Sequence, residues 1–296
     1  MDRRSFIKAV ALAAAAPAAL GGDALAAGAK RATLYVVHGA DPAKMLTAGM
    51  ARLGGFAAFV RKGRKVTIKA NAAWTSRPDQ GGNTSPKLVA ACVAACRAAG
   101  ASEVVVPENP CDGAERAFKT SGIAAAVARA GGRMYAAEDD AHFREVSIPK
   151  GRALKSARIA IDVLDTGCLI DLPVVKSHGG SRVTCAMKNW MGSVADRTAW
   201  HRKGLDQCIA DLSTVVRPAL VIADATRVMT TEGPRGPGVV THPQQLVLGL
   251  DPVAVDAYAA TLLGYEPFDV PHVRIAHEMG IGCGDLDAVD VVHLEA

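Results

Sequence analysis

Short apolar runs alternate with longer amphipathic segments through the first half of the chain. The runs RATLYVVHG, RKVTIKANAAW and SEVVVPENP have the length and the β-branched content that predict buried strands. Between the second and third runs, SPKLVAACVAACRAAGA predicts a helix with Ser85 as N-cap, Pro86 at the first helical position and Gly100 at its end. GAERAFKTSGIAAAVARAGG predicts another helix, broken at Gly122, before a strand in RMYAAED. This alternation predicts a parallel sheet wound with helices.

The second half follows the same pattern less regularly. ARIAIDVLDTGCLIDLPVVKSH predicts one or two strands, TCAMKNWMGSVADRTAWHRKG and DQCIADLSTVVRP predict helices, and ALVIADAT and QQLVLGL predict buried strands. DPVAVDAYAATLLG predicts a helix with Asp251 as N-cap. We therefore expect an α/β fold, a mainly parallel wound sheet with helices on both faces and an elaborated second half. Residues 27–296 are predicted to form a single α/β domain, with a sub-boundary near residue 150 as the alternative.

The first 26 residues have the features of an export signal. An Ala/Leu-rich run follows the basic residues, and the segment ends in a small-x-small cleavage pattern at Ala24-Leu25-Ala26. The arrangement R-R-x-F-x-K resembles a twin-arginine signal. The alternative is a membrane anchor, but residues 9–20 are too few for a span of roughly 20 residues. We expect export in the folded state by the twin-arginine translocation machinery, a periplasmic location and no stable membrane span in the mature form.

Composition narrows the classes of function. Half of the 296 residues are apolar, only 4% are aromatic and the net charge is +5. No basic block alternates with stacking aromatic residues, so we expect no nucleic-acid partner. Seven cysteines are an odd number, which leaves at least one unpaired unless it joins another chain. No C-x-x-C pair occurs, and an iron–sulfur cluster is therefore not expected.

Polar side chains gather where predicted strands end. In wound parallel sheets the ligand crevice lies outside the carboxyl ends of the strands. Four predicted strands end in reactive or hydrogen-bonding residues, namely Lys69 with Asn71, Glu108 with Asn109, Lys176 with His178, and Asp224. A single polar residue at the end of a strand is ordinarily exposed to solvent and has no further role. Four strands that all end in such residues predict a shared pocket. Because cations and amides predominate, we expect the pocket to bind a small anionic molecule.

The residues of this pocket have complementary chemistry. Lys69, Lys176 and Lys188 can hold carboxylate or phosphate oxygens, and Asn71 and Asn189 can fix orientation. Imidazole titrates near neutrality, so His178 is the predicted acid–base group, with Lys188 and Lys69 as further catalytic candidates. Thr184 and His201 complete the predicted binding residues. The backbone N–H groups of GGNTSP, at a helix start, could also face the anion. Cys185, near His178 and Lys188, is an alternative nucleophile or a packed residue.

The acidic candidates are Asp224, Glu232 and Asp256, which we expect either to hold a divalent metal or to position the lysines. No histidine pair has the spacing of a zinc site. The sequence also lacks G-x-S-x-G, a Walker-type phosphate loop and a G-x-G-x-x-G turn after a strand. Serine-hydrolase chemistry and a dinucleotide site are therefore disfavoured.

Four segments together resemble the bacterial and archaeal family of domain of unknown function 362. They are KANAAWTSRPDQGGNTSP, LPVVKSHGGSRVTCAMKNWMG with the later His201, IADATRVMTTEGPRGPG, and LGLDPVAVDAYAATLLG, within residues 65–265. The loop TEGPRGPG, which contains Glu232, is close to the family's usual pattern but not identical with it. The resemblance implies an α/β fold and, in many relatives, an attached iron–sulfur segment. That segment's cysteine motif is absent from this sequence.

Three hypotheses of function follow. The first is an exported enzyme that acts on a small anionic substrate, with or without the help of a bound metal. The second is a periplasmic binding or delivery protein for an anionic ligand, a metal or a metal complex. The third is a redox partner, which would need a chromophore.

Overall fold

A long, mostly parallel β-sheet runs through residues 31–296, the part of the chain that this computed structural model describes. The signal segment predicted at residues 1–26 lies outside the described residues. The strands are β1 (Ala32–His38), β2 (Lys65–Ala70), β3 (Glu103–Glu108), β4 (Arg133–Ala136), β5 (Phe143–Ser147), β6 (Ser156–Ala160), β7 (Cys168–Leu172), β8 (Val174–His178), β9 (Arg182–Thr184), β10 (Leu220–Met229), β11 (Val240–Thr241), β12 (Gln245–Gly249) and β13 (Val289–Glu295). The helices are α1 (Pro42–Arg52), α2 (Pro86–Ala98), α3 (Ala114–Ser121), α4 (Ile123–Arg129), α5 (Ile161–Leu164), α6 (Ala186–Asn189), α7 (Trp200–Lys203), α8 (Leu205–Leu212), α9 (Pro252–Thr261) and α10 (Pro271–Glu278).

The strands lie in the order β13-β1-β12-β10-β7-β2-β3-β4 across the sheet. From β10 to β4 the neighbouring strands are parallel, whereas β12 is antiparallel to both β10 and β1. Strand β8 runs parallel to β10 and pairs with the short β9. Strands β5 and β6 form a separate antiparallel hairpin. The predicted α/β class with a mainly parallel sheet is confirmed.

Both faces of the sheet are covered by helices. Alternate residues of β10 show this, because Leu220 and Ile222 pack in the core under α1, α2 and α4, whereas Val221 and Ala223 pack on the side of α8, α9 and α10. Each core is built mainly of Ala, Val, Leu and Ile, as the composition suggests. Strands that are buried on both faces read as continuous apolar runs, which explains why the runs predicted from the sequence become strands.

The helices end where the sequence signals predict, but at the start of α2 a different side chain accepts the hydrogen bond. Gly122 separates α3 from α4 at φ 71°, a left-handed conformation that glycine adopts without strain. Asp251 caps α9, accepting from Val253 N and Ala254 N. Ser85 stands at the N-cap of α2, but its hydroxyl makes no capping bond. Asp224 Oδ2 instead accepts from Ser85 N at 2.7 Å, so a carboxylate from β10 lies at the start of α2.

The regions without a strong periodic pattern differ most from the predictions. The helix predicted over residues 184–204 consists of α6, α7 and intervening 3₁₀ turns. The one or two strands predicted over residues 157–178 are β6, β7 and β8 with α5 between the first two. Helices α1 and α10 and the edge strand β13 were not predicted. Strand β13 is held by its parallel pairing with β1. Both helices do carry a local signal, because each begins with a proline and Asp41 caps α1.

Residues 31–296 form one compact unit. Among these residues, none of the helices has both the length and the apolar character needed to cross a membrane.

We predict that Asp251→Ala destabilises the protein more than Asp41→Ala, although both carboxylates cap helices. Asp41 caps α1 at the surface, whereas Asp251 Oδ2 also accepts from Cys283 N at 2.7 Å and ties the C-terminal segment to α9. In Asp251→Ala, the helix loses its cap and Cys283 N loses its acceptor, which together should lower the free energy of unfolding by roughly 2–4 kcal/mol. Urea denaturation of both variants measures the difference, and equal losses would contradict the double role of Asp251.

Candidate functional site

A cavity of about 380 Å³ lies beyond the carboxyl ends of β2, β3 and β8. Its wall combines cations, amides, a carboxylate and apolar side chains. The lining residues that matter below are Asn71, Trp74, Glu108, Cys111, Lys176, His178, Thr184, Lys188, Asn189, Met191, Arg197, His201 and Pro234. The cavity therefore occupies the edge of the sheet where wound parallel sheets bind their ligands.

Beneath the cavity, Lys69 and Glu108 form a buried ion pair. Lys69 Nζ lies 2.8 Å from Glu108 Oε2, and both side chains are at most 1% exposed. The same Glu108 oxygen accepts from Ala72 N at 2.8 Å, which ties the end of β2 to β3. Glycine is required at position 192, because a Cβ there would lie 1.9 Å from Glu108 Oε1. Lys69 thus supports the cavity from below and is not among the residues that line it.

Asn189, the last residue of α6, joins two strands, β2 and β7, through its amide. Its Nδ2 donates to Lys69 O on β2 and to Asp171 Oδ1 on β7, both at 2.8 Å. Its Oδ1 accepts from Asn71 Nδ2 at 3.2 Å. Burial raises the pKa of Asp171 well above its usual range. This network fixes the two asparagines, and both of them line the cavity.

Lys176, on β8, places a buried amine at the cavity. Its Nζ donates to Gly82 O and, at 3.3 Å, to Asn71 Oδ1, and it lies 5.8 Å from the centre of the Trp74 ring. Burial, together with the nearby charge of Lys188, lowers the pKa of Lys176 to about 7. The carbonyl of Gly82 faces the lysine, so this part of the GGNTSP loop offers an acceptor where amide donors were expected.

Lys188, on α6, is the second cation of the cavity wall. Within residues 31–296 neither its amine nor that of Lys176 has a carboxylate at ion-pair distance, and Lys69 alone of the three lysines is paired. Burial lowers the pKa of Lys188 to about 8. Lys188 is therefore largely charged at neutral pH, and its amino group is not engaged by a hydrogen bond from the described residues.

His178 is held in one tautomer. Its Nδ1 accepts from Gly180 N at 3.0 Å and from Ser181 N at 3.1 Å, so Nδ1 carries no proton and Nε2 carries one in the neutral ring. Burial, with the charges of Lys188 and Lys176, lowers the pKa of His178 to about 3. These contacts make His178 a fixed hydrogen-bond donor, which differs from the proton-moving role that the sequence suggests.

Unpartnered polar atoms and apolar surfaces complete the wall. Thr184 Oγ1 and Glu108 Oε1 are buried without a hydrogen-bond partner in the described part of the chain, and both residues line the cavity. Trp74, Met191 and Pro234 supply apolar surface. Arg197, on the rim, donates to Asn109 O and Pro110 O and contacts Cys111 Sγ at 3.5 Å. Buried polar atoms without partners are rare in folded proteins.

Of the three acidic residues predicted as metal ligands, Asp224 and Asp256 accept hydrogen bonds from backbone amides, and Glu232 lies at the surface. Asp224 accepts from Ser85 N, Thr226 N and Thr226 Oγ1, and Arg227 lies 3.6 Å away. Asp256 accepts from Ala186 N at 2.6 Å and Met187 N at 3.0 Å, which caps α6. Glu232 is exposed, at φ 53°.

Across residues 31–296, no three His, Cys, Asp or Glu side chains are grouped so that they could hold a metal ion. The alternative predicted role, that of positioning the lysines, fits Asp256, which caps the helix that carries Lys188. Within the described part of the chain, Asp224 contacts no lysine and instead binds the start of α2. Cys185 is fully buried, and burial raises the pKa of its thiol well above the usual range. A thiol of that kind is a poor nucleophile, so the packed alternative fits Cys185 better.

Sequence reasoning identified most of the cavity. Nine of the residues that the sequence places in the pocket meet in its wall, namely Asn71, Glu108, Asn109, Lys176, His178, Thr184, Lys188, Asn189 and His201, the last of them exposed at the rim. Trp74 and Arg197 were missed, as was the burial of Glu108 opposite Lys69. Trp74 follows the strand end at Asn71 by only three residues, and that proximity could have indicated it. No signal in the sequence marks Arg197.

Comparisons with known proteins agree with the motif pattern. The family model described as "Domain of unknown function (DUF362)" matches residues 66–261, which confirms the predicted resemblance. "Thylakoid-associated protein sll1697" of Synechocystis sp. is 26% identical over 251 residues, covering 77% of this chain and 72% of that protein.

Among solved structures, the crystal structure of a protein from Thermotoga maritima is similar, with a TM-score of 0.49 and 10% identity. The alignment covers 77% of this chain and 60% of that one, so the chain spans less than two thirds of the similar structure.

We predict that Lys69→Met strongly destabilises the protein, because it leaves Glu108 buried without its counter-ion. Breaking a buried pair in this way should lower the free energy of unfolding by roughly 3–5 kcal/mol, measured by urea denaturation at pH 7. The double variant Lys69→Met/Glu108→Leu should recover much of that loss, because apolar residues can replace such a pair. Arg133→Met is the matched control, since it breaks an exposed pair with Glu103 between neighbouring strands. It should change stability little. A loss at Lys69 no larger than that at Arg133 would show that the buried pair is not structural.

Proposed function

The chain belongs to the family of domain of unknown function 362, and from the geometry of its cavity we propose that it is an enzyme that acts on a small organic anion. The observation that carries the proposal is the charge of the cavity wall. Lys176 and Lys188 stand there with no paired carboxylate among residues 31–296, and the only carboxylate in the wall, Glu108, is paired with Lys69. A cavity with unbalanced positive charge attracts an anion.

The proposed anion carries an apolar part. Trp74, Met191 and Pro234 face the same cavity as the lysines. Small-molecule sites typically combine apolar walls with a few polar groups that fix orientation. We propose that Lys188 holds an anionic oxygen of the ligand, while Nε2 of His178 and the hydroxyl of Thr184 donate to its other polar atoms. A cavity of about 380 Å³ suits a molecule of the size of a small organic acid.

Lys176 supplies the reason to propose an enzyme rather than a binding or delivery protein. A protein that only binds an anion is served best by amines that stay charged. Lys176 has a pKa of about 7, which leaves much of it neutral at physiological pH. An amine poised in that way can accept a proton or attack a carbon atom. The proposed roles are therefore anion binding for Lys188 and chemistry for Lys176. A divalent metal is not part of this proposal, because Asp224 and Asp256 are engaged by backbone amides.

We further propose that the protein acts in the periplasm after twin-arginine export. The support is the sequence of residues 1–26 alone, with its Arg3-Arg4 pair and its Ala24-Leu25-Ala26 cleavage pattern. Transport in the folded state would allow the buried ion pair and the cavity to form before export.

We predict that sulfate, a divalent anion over the whole range, binds with an affinity that falls as pH rises from 6 to 9. The pKa values of about 7 for Lys176 and about 8 for Lys188 place the loss of both positive charges in this window. Isothermal titration calorimetry in a buffer without competing anions measures the dissociation constant. An affinity that does not change across this range would contradict the assignment of these lysines to the anion.

We predict that at pH 7.5 Lys188→Met weakens sulfate binding by about tenfold or more, because a charge-assisted hydrogen bond contributes about 1.5–3 kcal/mol. Lys176→Met should have the smaller effect at this pH, since most of that amine is already neutral. Lys119→Met, on the surface of α3 and remote from the cavity lining, is the matched control and should bind as the unaltered protein does. Equal affinities for Lys188→Met and Lys119→Met would refute the role of Lys188.

We predict that replacing Arg3 and Arg4 by lysine retains the full-length protein in the cytoplasm, since the paired arginines define the export signal. Cell fractionation with immunodetection measures the distribution, and N-terminal sequencing of the exported form should give a start near Ala27. A paired substitution of Lys30 and Arg31 by glutamine, beyond the predicted cleavage site, is the control and should leave export intact. Export of the variant without the arginine pair would exclude the twin-arginine route.

A further inference from the structure

The amine of Lys176 has two hydrogen-bond acceptors within reach, Gly82 O and Asn71 Oδ1. A neutral amine has two N–H groups and one lone pair, whereas an ammonium has three N–H groups. The two acceptors therefore satisfy both N–H groups of the neutral form, and they leave its lone pair free. Lys176 is buried and is among the residues that line the cavity. A free lone pair is what nucleophilic attack by an amine requires.

A lysine becomes nucleophilic when it is desolvated or lies beside another cation. Lys176 meets both conditions, because its side chain is fully buried and the charge of Lys188 acts on it across the same cavity wall. Lys188 in turn is free to bind an anionic group. The two amines thus divide two tasks within one cavity, covalent attack and recognition of charge.

Resting on the proposed function, we propose that the substrate is a carbonyl compound with a carboxylate, such as a 2-oxo acid, and that Lys176 forms an imine with its carbonyl carbon. Lys188 binds the carboxylate. Thr184 pairs with Lys176 across β8 and β9, and its hydroxyl has no partner among the described residues, so we assign it as the donor to the oxygen of the carbinolamine that forms first.

The step is balanced without a further reactant. Nζ of Lys176 bonds to the carbonyl carbon, and one N–H proton passes to the carbonyl oxygen to give the carbinolamine. The C–O bond then breaks, and the oxygen leaves as water with the second proton from nitrogen. Asn71 Oδ1 remains in place to accept from the nitrogen when the imine is protonated.

The pH dependence follows from the two lysines. Attack requires Lys176 to be neutral, which holds increasingly above its pKa of about 7. Binding of the carboxylate requires Lys188 to be charged, which holds below its pKa of about 8. Imine formation should therefore be fastest between about pH 7 and pH 8 and should decline on both sides.

The test is reductive trapping of the full-length protein with pyruvate and sodium cyanoborohydride, followed by peptide mapping with mass spectrometry. We expect the added group on Lys176, formed at least about tenfold faster than on Lys119, an exposed lysine of α3 that serves as the internal comparison. Because the site is located in the unaltered protein, the result does not depend on a variant that must fold. Labelling that is absent, or no faster on Lys176 than on Lys119, would overturn the inference.

Methyl pyruvate tests the role of charge, since it carries the same carbonyl group without the carboxylate. In Lys188→Met, the ratio of labelling by pyruvate to labelling by methyl pyruvate should fall by about tenfold, as expected for loss of a charge-assisted hydrogen bond. An unchanged ratio would remove Lys188 from substrate recognition.

Sulfate binding distinguishes failure of the imine from failure of the anion site. If Lys176 is not labelled but sulfate still binds with the expected pH dependence, the imine is refuted and the anion site stands. If sulfate also fails to bind, the proposed function falls with it.

Discussion

The cavity depends on one ion pair, between Lys69 on β2 and Glu108 on β3. Both side chains lie inside the protein, where a single unpaired charge would be far more costly than in water. Because each partner neutralises the other, the floor of the cavity carries little net charge. Glu108 also accepts from Ala72 N, and Lys69 donates to Ala70 O, so the pair holds the chain at the point where β2 ends. The positive charge that remains in the wall then belongs to Lys176, Lys188 and, at the rim, Arg197.

Burying the amines of Lys176 and Lys188 lowers the stability of the folded state. Each has a pKa below that of a free lysine, which means that the folded state disfavours the protonated amine. The unfolded chain binds more protons between those pKa values and about 10.4, so this contribution to stability improves as pH rises through that range and is least favourable below pH 7. A hydrophobic residue at either position would avoid the penalty. Retaining both amines beside a cavity is reasonable where a ligand supplies the missing negative charge.

Much of the site was accessible from sequence because its geometry follows from local rules. Parallel strands with apolar runs place their carboxyl ends at one edge, and Asn71, Lys176 and His178 follow or end such runs. What could not be predicted depends on contacts between distant segments. The pairing of Lys69 with Glu108 requires the register of β2 against β3, and the tautomer of His178 requires the tight turn at Gly180 and Ser181.

The aspartates predicted as metal ligands show that the type of a residue does not by itself determine its role. A carboxylate at the start of a helix has two uses that look alike in sequence, as a ligand to a cation or as an acceptor for backbone amides. Asp256 lies on α9, yet its carboxylate caps α6, the short helix that carries Lys188 and Asn189.

Behind Asp256 stands His272, whose Nε2 is 3.8 Å from that carboxylate and whose Nδ1 is 3.0 Å from Asp206 Oδ1. Burial raises the pKa of Asp256, and the histidine opposes that shift. The chain of Asp206, His272 and Asp256 thus reaches from α8 through α10 and α9 to the start of α6. A four-residue helix has too few internal hydrogen bonds to hold its own position. The position of Lys188 is therefore set at the start of α6 by Asp256, which does not line the cavity, and at its end by Asn189, which does.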